Sequence, residues 1–88
     1  MENNLKKAVE LYENGKLSSA KKICLRIYEK NSTQFDNLRL LNFIYFKEKN
    51  FSKALEFINK AIKINSNYAQ AYNNLGVALH KLNKKMRQ

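Results

Sequence analysis

The sequence contains no proline and no tryptophan, two glycines and one cysteine. Without proline no interior position is barred from a helix, and with glycine confined to Gly15 and Gly76 the breaks between elements must be few and short. The lone Cys24 excludes an internal disulfide and any paired-cysteine metal site. It fits a reducing compartment, and the cytoplasm is the expected home. No stretch of 18 apolar residues occurs, and the opening Met1-Glu2-Asn3-Asn4-Leu5-Lys6-Lys7 lacks the apolar run of a secretion signal, so neither a membrane span nor export is expected. At 88 residues there is room for one domain with a modest core, but not for that core and a separate catalytic unit.

Acidic residues are scarce as well: 7 against 17 basic ones, for a formal charge of +10. Such a balance raises the question of nucleic acid. Arginine is the residue that pairs bidentately with bases and stacks on them, yet only Arg26, Arg39 and Arg87 are present; the other cations are lysines spread from Lys6 to Lys85. The pattern reads as a solvated surface, without specific nucleic-acid recognition and with weak attraction to polyanions in general.

Helical spacing fills what remains. Leu5, Ala8, Val9, Leu11 and Tyr12 make one apolar stripe, broken at Asn14-Gly15-Lys16. Leu17, Ala20, Ile23, Cys24, Ile27 and Tyr28 make a second, closed by Asn31-Ser32-Thr33-Gln34. The plan then recurs: Phe35, Leu38, Leu41, Tyr45 and Phe46, a break at Lys49-Asn50, then Phe51, Ala54, Leu55, Ile58, Ala61, Ile62 and Ile64. A fifth stripe runs through Tyr72, Leu75, Gly76, Ala78, Leu79 and Leu82 into a basic tail. Asn31 and Asn65 are expected to cap the helices that follow them, Asn31 with Gln34 as a capping box.

Shifting the sequence by 34 residues pairs Asn3 with Asn37, Ser18 with Ser52, Ala20 with Ala54, Asn31 with Asn65 and Ser32 with Ser66. A period of this size marks a stack of supersecondary units, none able to bury its apolar face alone. The chain resembles the tetratricopeptide repeat family, whose pattern is Trp, two residues, Leu-Gly, two residues, Tyr, then Ala, three residues, Phe, and finally Pro. Tyr72, Leu75-Gly76 and Leu79 follow those spacings; so do Leu38, Leu41-Asn42, Tyr45, Ala54 and Ile58, with Ser66 in the proline place. The first repeat matches less well, with Asn4 and Lys7-Ala8, then Leu11, Ala20 and Cys24, and Ser32 last. The resemblance implies an all-α fold of five helices: a right-handed α-superhelix of antiparallel helix pairs, an α-solenoid. It divides a single domain, 1–88, into repeat one (1–34), repeat two (35–68) and, over 69–88, the first helix of a third repeat with a basic tail.

Close helix crossing needs a small residue at the contact, a role given to Ala8 and Gly76 in first helices and to Ala20 and Ala54 in second helices. Asn42 breaks this rule and must find a hydrogen-bond partner or cost about 1–3 kcal/mol. In such a stack the first helix of each pair lines the concave side, so the expected partner-facing residues are Leu5, Val9 and Tyr12; Arg39, Leu40, Phe43 and Phe46; and Asn73, Asn74, Val77 and His80. Leu40, Phe43 and Phe46 serve equally as core between repeats or as the seat of an apolar peptide or helix. Asn74 matches an asparagine of repeats resembling those of peptide-binding glycosyltransferase superhelices, but Lys6 and Leu40 occupy its equivalent places and no asparagine ladder forms. The family's clamp for a chaperone's C-terminal carboxylate is also missing, since Leu5, Val9, Leu40, Gln70 and Asn74 stand at its positions and none is cationic.

Enzyme chemistry finds no foothold. His80 has no acidic or thiol partner at ligand spacing, Cys24 falls in a packing position, Glu10 and Glu13 are solvated charges, and no phosphate loop or catalytic triad is legible. No cofactor and no metal are expected. The favoured function is a non-enzymatic scaffold binding a protein or peptide in the groove. Its rival is a substrate-presenting part of a repeat-bearing transferase such as a glycosyltransferase, and a third reading is a helical repeat that associates with RNA non-specifically. The unfinished third repeat leaves an apolar face that a second copy of the chain could cover.

Overall fold

The computed structural model describes residues 2–67 together with 73, 76, 77 and 79–81, and only the backbone of Glu2 and Asn3. Four helices follow one another: α1 (Glu2–Glu13), α2 (Leu17–Lys30), α3 (Phe35–Lys47) and α4 (Phe51–Ile64). No strand occurs among the described residues, and the fold is the expected all-α helical repeat. Asn73, Gly76, Val77 and residues 79–81 are helical, where the fifth helix is expected; Tyr72, Asn74, Leu75 and Leu82 lie outside the described residues. Short turns fold α1 onto α2 and α3 onto α4, α2 packs against α3 to join the pairs, and α1 touches α3.

The 34-residue period holds bond by bond. At the end of α1 the Gly15 N–H donates to Tyr12 O at 3.0 Å and the Lys16 N–H to Leu11 O at 2.8 Å. At the end of α3 the Lys49 N–H donates to Phe46 O at 3.0 Å and the Asn50 N–H to Tyr45 O at 2.9 Å. Each pair is a Schellman closure, which needs one residue in the left-handed region. Gly15 supplies it at φ 79°, and Lys49 takes the same place at φ 63°. A side chain there carries strain that glycine lacks. Lys49→Gly is therefore expected to stabilise the protein by about 0.5–1 kcal/mol, after allowing for the freer unfolded chain, as read from the urea midpoint. A variant less stable than the parent would mean that the turn is held by the Lys49 side chain instead.

Capping differs from the expectation. Asn31 and Asn65 do not open helices; they follow α2 and α4, and their Oδ1 atoms accept from the N–H groups of Thr33 and Asn67, each at 3.2 Å. These are local turns in which a short polar side chain bonds the backbone two residues on, a geometry that competes with capping. The cap of α3 is Gln34, whose Oε1 accepts from the Asn37 N–H at 2.7 Å. The cap of α4 is Asn50, accepting from the Lys53 N–H at 3.3 Å.

The core centres on α3. Leu38, Leu41 and Ile44 are buried on the helix that carries more buried residues than any other of the four, as a helix packed on several sides must. Ala8, Ala20 and Ala54 are fully buried, in keeping with close helix crossings. Gly76 departs from its expected role: it is exposed, and a Cβ built there would meet nothing within 4 Å.

Two buried asparagines tie the layers together. Asn42, 2% exposed, donates from Nδ2 to Ala54 O at 2.8 Å and so links α3 to α4, supplying the partner its burial requires. Asn37, fully buried, donates to Cys24 O at 2.9 Å and links α3 to α2, while its Oδ1 has no partner. Nothing in the structure explains that unpaired acceptor. Around these bonds Tyr45 stacks on Phe57 at 5.7 Å, and Tyr28 meets the same ring edge-on at 5.2 Å.

Candidate functional site

Because α1 and α3 lie side by side, the outward residues of each face a shared trough. Helical spacing puts Leu5, Val9 and Tyr12 on one flank, and Leu40 and Phe43 on the other. The groove encloses about 520 Å³ and is walled by these five together with Lys6, Glu13, Gln34, Asp36 and Arg39. A smaller extension of about 100 Å³ continues past Tyr12 and Phe43 to Asn42, Phe46 and Lys47.

Seven of the expected partner-facing residues thus come together: Leu5, Val9, Tyr12, Arg39, Leu40, Phe43 and Phe46. They are not equally available. Leu40 is only 6% exposed and belongs mainly to the packing of the core, Phe46 meets Phe51 edge-on at 5.4 Å, and Val9 is 37% exposed. Asn73, Val77 and His80 are exposed and helical, and they are not among the residues that wall the groove; Asn74 lies outside the described residues.

The two flanks are held by aromatic contact. The Tyr12 and Phe43 rings lie 6.3 Å apart, tilted by 31°. Lys47 caps the pair, its Nζ 5.4 Å from the Tyr12 ring centre. Burial raises the Tyr12 pKa, so its hydroxyl stays protonated at neutral pH and remains a hydrogen-bond donor. Rim charges are mixed: Lys6 and Arg39 face Glu13 and Asp36, with Arg39 Nη2 3.3 Å from an Asp36 carboxylate oxygen. The floor is therefore apolar and the rim nearly neutral, an arrangement that seats an apolar anchor and orients a backbone by polar contacts at the edge. Lys6, Glu13, Asp36 and Lys47 were not among the expected partner-facing residues, although each neighbours a groove residue along its helix at a spacing of one to four.

Cys24 sits in the core as a packing residue. It is fully buried, and burial pushes its thiol up to about 12, far from the thiolate that reacts. Among the described residues no three His, Cys, Asp or Glu side chains could share a metal ion, and no helix is long and apolar enough to cross a membrane.

A sequence profile of the family described as "TPR repeat" matches residues 44–83. The chain is also 36% identical over 76 residues to the UDP-N-acetylglucosamine--peptide N-acetylglucosaminyltransferase of Caenorhabditis elegans, an alignment covering 82% of this chain and 7% of that protein. The chain spans a small fraction of the relative it matches. Stacked helix pairs of this kind mediate contacts between proteins. With the 34-residue period preserved in the turn bonds at Gly15–Lys16 and Lys49–Asn50 and the profile match over residues 44–83, the chain carries tetratricopeptide repeats.

Proposed function

We propose that this protein is a non-enzymatic scaffold that holds a peptide or helix of a partner protein in the groove between α1 and α3. The observation that carries this reading is the preformed trough itself: about 520 Å³ with an apolar floor of Leu5, Val9, Tyr12 and Phe43 and a polar rim. A short peptide pays the least ordering entropy when its site is already shaped, and one or two apolar anchors supply most of the affinity. Phe43, half-buried against Tyr12, is the natural anchor seat.

A random-peptide display selection against the full chain tests the proposal. Selected peptides are expected to carry an apolar or aromatic anchor and to lose about tenfold in affinity for Phe43→Ala, the scale of one hot-spot truncation, with the circular dichroism spectrum unchanged. Peptides that bind the variant as tightly as the parent would place the site elsewhere.

A second reading rests on the glycosyltransferase match: the chain presents substrate to a transferase as one part of a larger protein. A transferase domain encoded in frame with these residues would favour it. A stop codon after the codon for Gln88 would favour the stand-alone scaffold.

A further inference from the structure

Folding gathers cations that the sequence disperses. The groove helices α1 and α3 carry four basic residues, Lys6, Lys7, Arg39 and Lys47, against four acidic ones, Glu2, Glu10, Glu13 and Asp36. The outer helices α2 and α4 carry seven, Lys21, Lys22, Arg26, Lys30, Lys53, Lys60 and Lys63, against Glu29 and Glu56. A bias toward lysine in the composition would load all four helices alike. Here the groove side is neutral and the far side is strongly positive.

Most of that outer charge is uncompensated. Lys21 is held by Glu48 at 2.9 Å and Lys53 by Glu56 at 3.2 Å. Among the described residues Lys22, Arg26, Lys30 and Lys63 are exposed and have no carboxylate within ion-pair distance. Lys22, Arg26 and Lys30 recur at every fourth residue and so form one ridge along α2. Lys60 stands in α4 where Arg26 stands in α2, its Nζ 5.9 Å from the Tyr28 ring centre. Beside this ridge a concavity of about 350 Å³ is lined by Arg26, Lys30, Asn4, Asn31, Gln34, Leu5 and Ile27, with no carboxylate among them; it meets the groove at Leu5 and Gln34.

We propose that the outer face of α2 and α4 is a second interaction surface that holds the phosphate backbone of a nucleic-acid duplex without reading its sequence. Charge complementarity calls for a polyanion, and physical chemistry selects which one. An exposed lysine gains little from a carboxylate, because both ions stay hydrated and the side chain loses freedom. Against a duplex the same lysine displaces condensed counterions, and binding follows without a built pocket. Among the described residues of this face base stacking has no open platform: Tyr28 is half-buried and meets Phe57 edge-on at 5.2 Å, and Phe57 is buried. A membrane finds little to wedge into among the described residues: Ile23 and Leu25 pack against the core, and on these two helices Ile64 alone, 47% exposed, stands out as a large apolar side chain beside the cations.

Fluorescence anisotropy of the full chain with labelled 20-base-pair RNA and DNA duplexes of mixed sequence tests the proposal. With Lys22, Arg26, Lys30, Lys60 and Lys63 in contact, log affinity is expected to fall against log salt with a slope of about −4.5, or about 500-fold between 50 and 200 mM. The triple variant Lys22→Gln, Arg26→Gln, Lys30→Gln is expected to flatten the slope to about −2. Two variants that remove equal charge, Lys6→Gln with Lys7→Gln and Lys47→Gln, and Lys84→Gln with Lys85→Gln and Arg87→Gln, should leave it unchanged. Equal flattening in either would overturn the assignment to this face. So would a preference of more than tenfold for RNA or DNA, equally tight binding of poly-glutamate, or binding to phosphatidylserine vesicles without binding to duplex. Phe43→Ala should bind duplex normally, so a failure of the groove reading and a failure of this one are distinguishable.

Discussion

Leu41→Ala is expected to lower the thermal midpoint by at least about 8 °C. Leu41 is fully buried at the middle of α3, the helix that packs against α2 and α4 and touches α1. Truncating a buried leucine removes about 2–5 kcal/mol, part as lost transfer energy and part as the cavity left behind. In a domain of this size each kcal/mol shifts the midpoint by about 4–8 °C. Total stability of such a chain is about 4–13 kcal/mol, so the variant gives up a large share of it. Calorimetry reads the result, and a shift below about 4 °C would mean that α3 is not the spine of the stack.

Asn42→Asp should come close to that loss, by a different route. Asn42 is buried, and its Nδ2 is the donor to Ala54 O. Aspartate replaces that donor with an anionic oxygen facing a carbonyl, leaving an unpaired buried charge that costs about 3–5 kcal/mol. Burial raises the new carboxyl's pKa above its unfolded value, so the protonated native state is the favoured one. Stability is then retained below the unfolded pKa and lost as pH rises through the raised folded pKa. The deficit relative to the parent should be largest near pH 7.5 and shrink toward pH 5. Asn42→Ala, which restores the small residue found at Ala8, is expected to cost only about 1 kcal/mol for the missing bond. Chemical denaturation of both variants at the two pH values settles the comparison: a deficit for Asn42→Asp that does not change with pH would rule out a buried charge as its cause.

Helix number, pairing and period were legible because they rest on spacing, which survives in a single chain. Ala20 and Ala54 announced their burial by size, and Asn42 announced its hydrogen bond by being polar where a small residue belongs. Asn37 gave no such signal. It sits one residue before the Leu38 packing position, and only the approach of the Cys24 carbonyl, brought by tertiary packing of α2, makes it an interior tie. The helix starts were misplaced for a related reason. An asparagine can bond the backbone that follows it in a turn or at a cap, and at Asn31 the choice was decided by where α2 stops, which a composition window cannot resolve. Lys49 hides its left-handed backbone completely; only Gly15, one period earlier, betrays it.

The groove was legible as a set of faces, but not its depth. Helical spacing assigned Leu40 to the same face as Phe43, whereas burial separates them: Leu40 is closed off by the core and Phe43 stays half-open. The reverse happened with charge. Lysines scattered from Lys6 to Lys85 looked like an even coat, and only the sorting of helices into inner and outer rows reveals that the coat is one-sided.

That sorting gives the repeated turns a meaning beyond closure. Since the hydrogen-bond pattern of the joint at Gly15 and Lys16 is repeated at Lys49 and Asn50, length in this architecture is a quantised variable, advanced 34 residues at a time. Each step would lay down one more span of apolar trough on one side and one more row of cations on the other. A chain of this type can therefore grow two unlike surfaces at the same rate, holding a fixed pitch between whatever each surface grips.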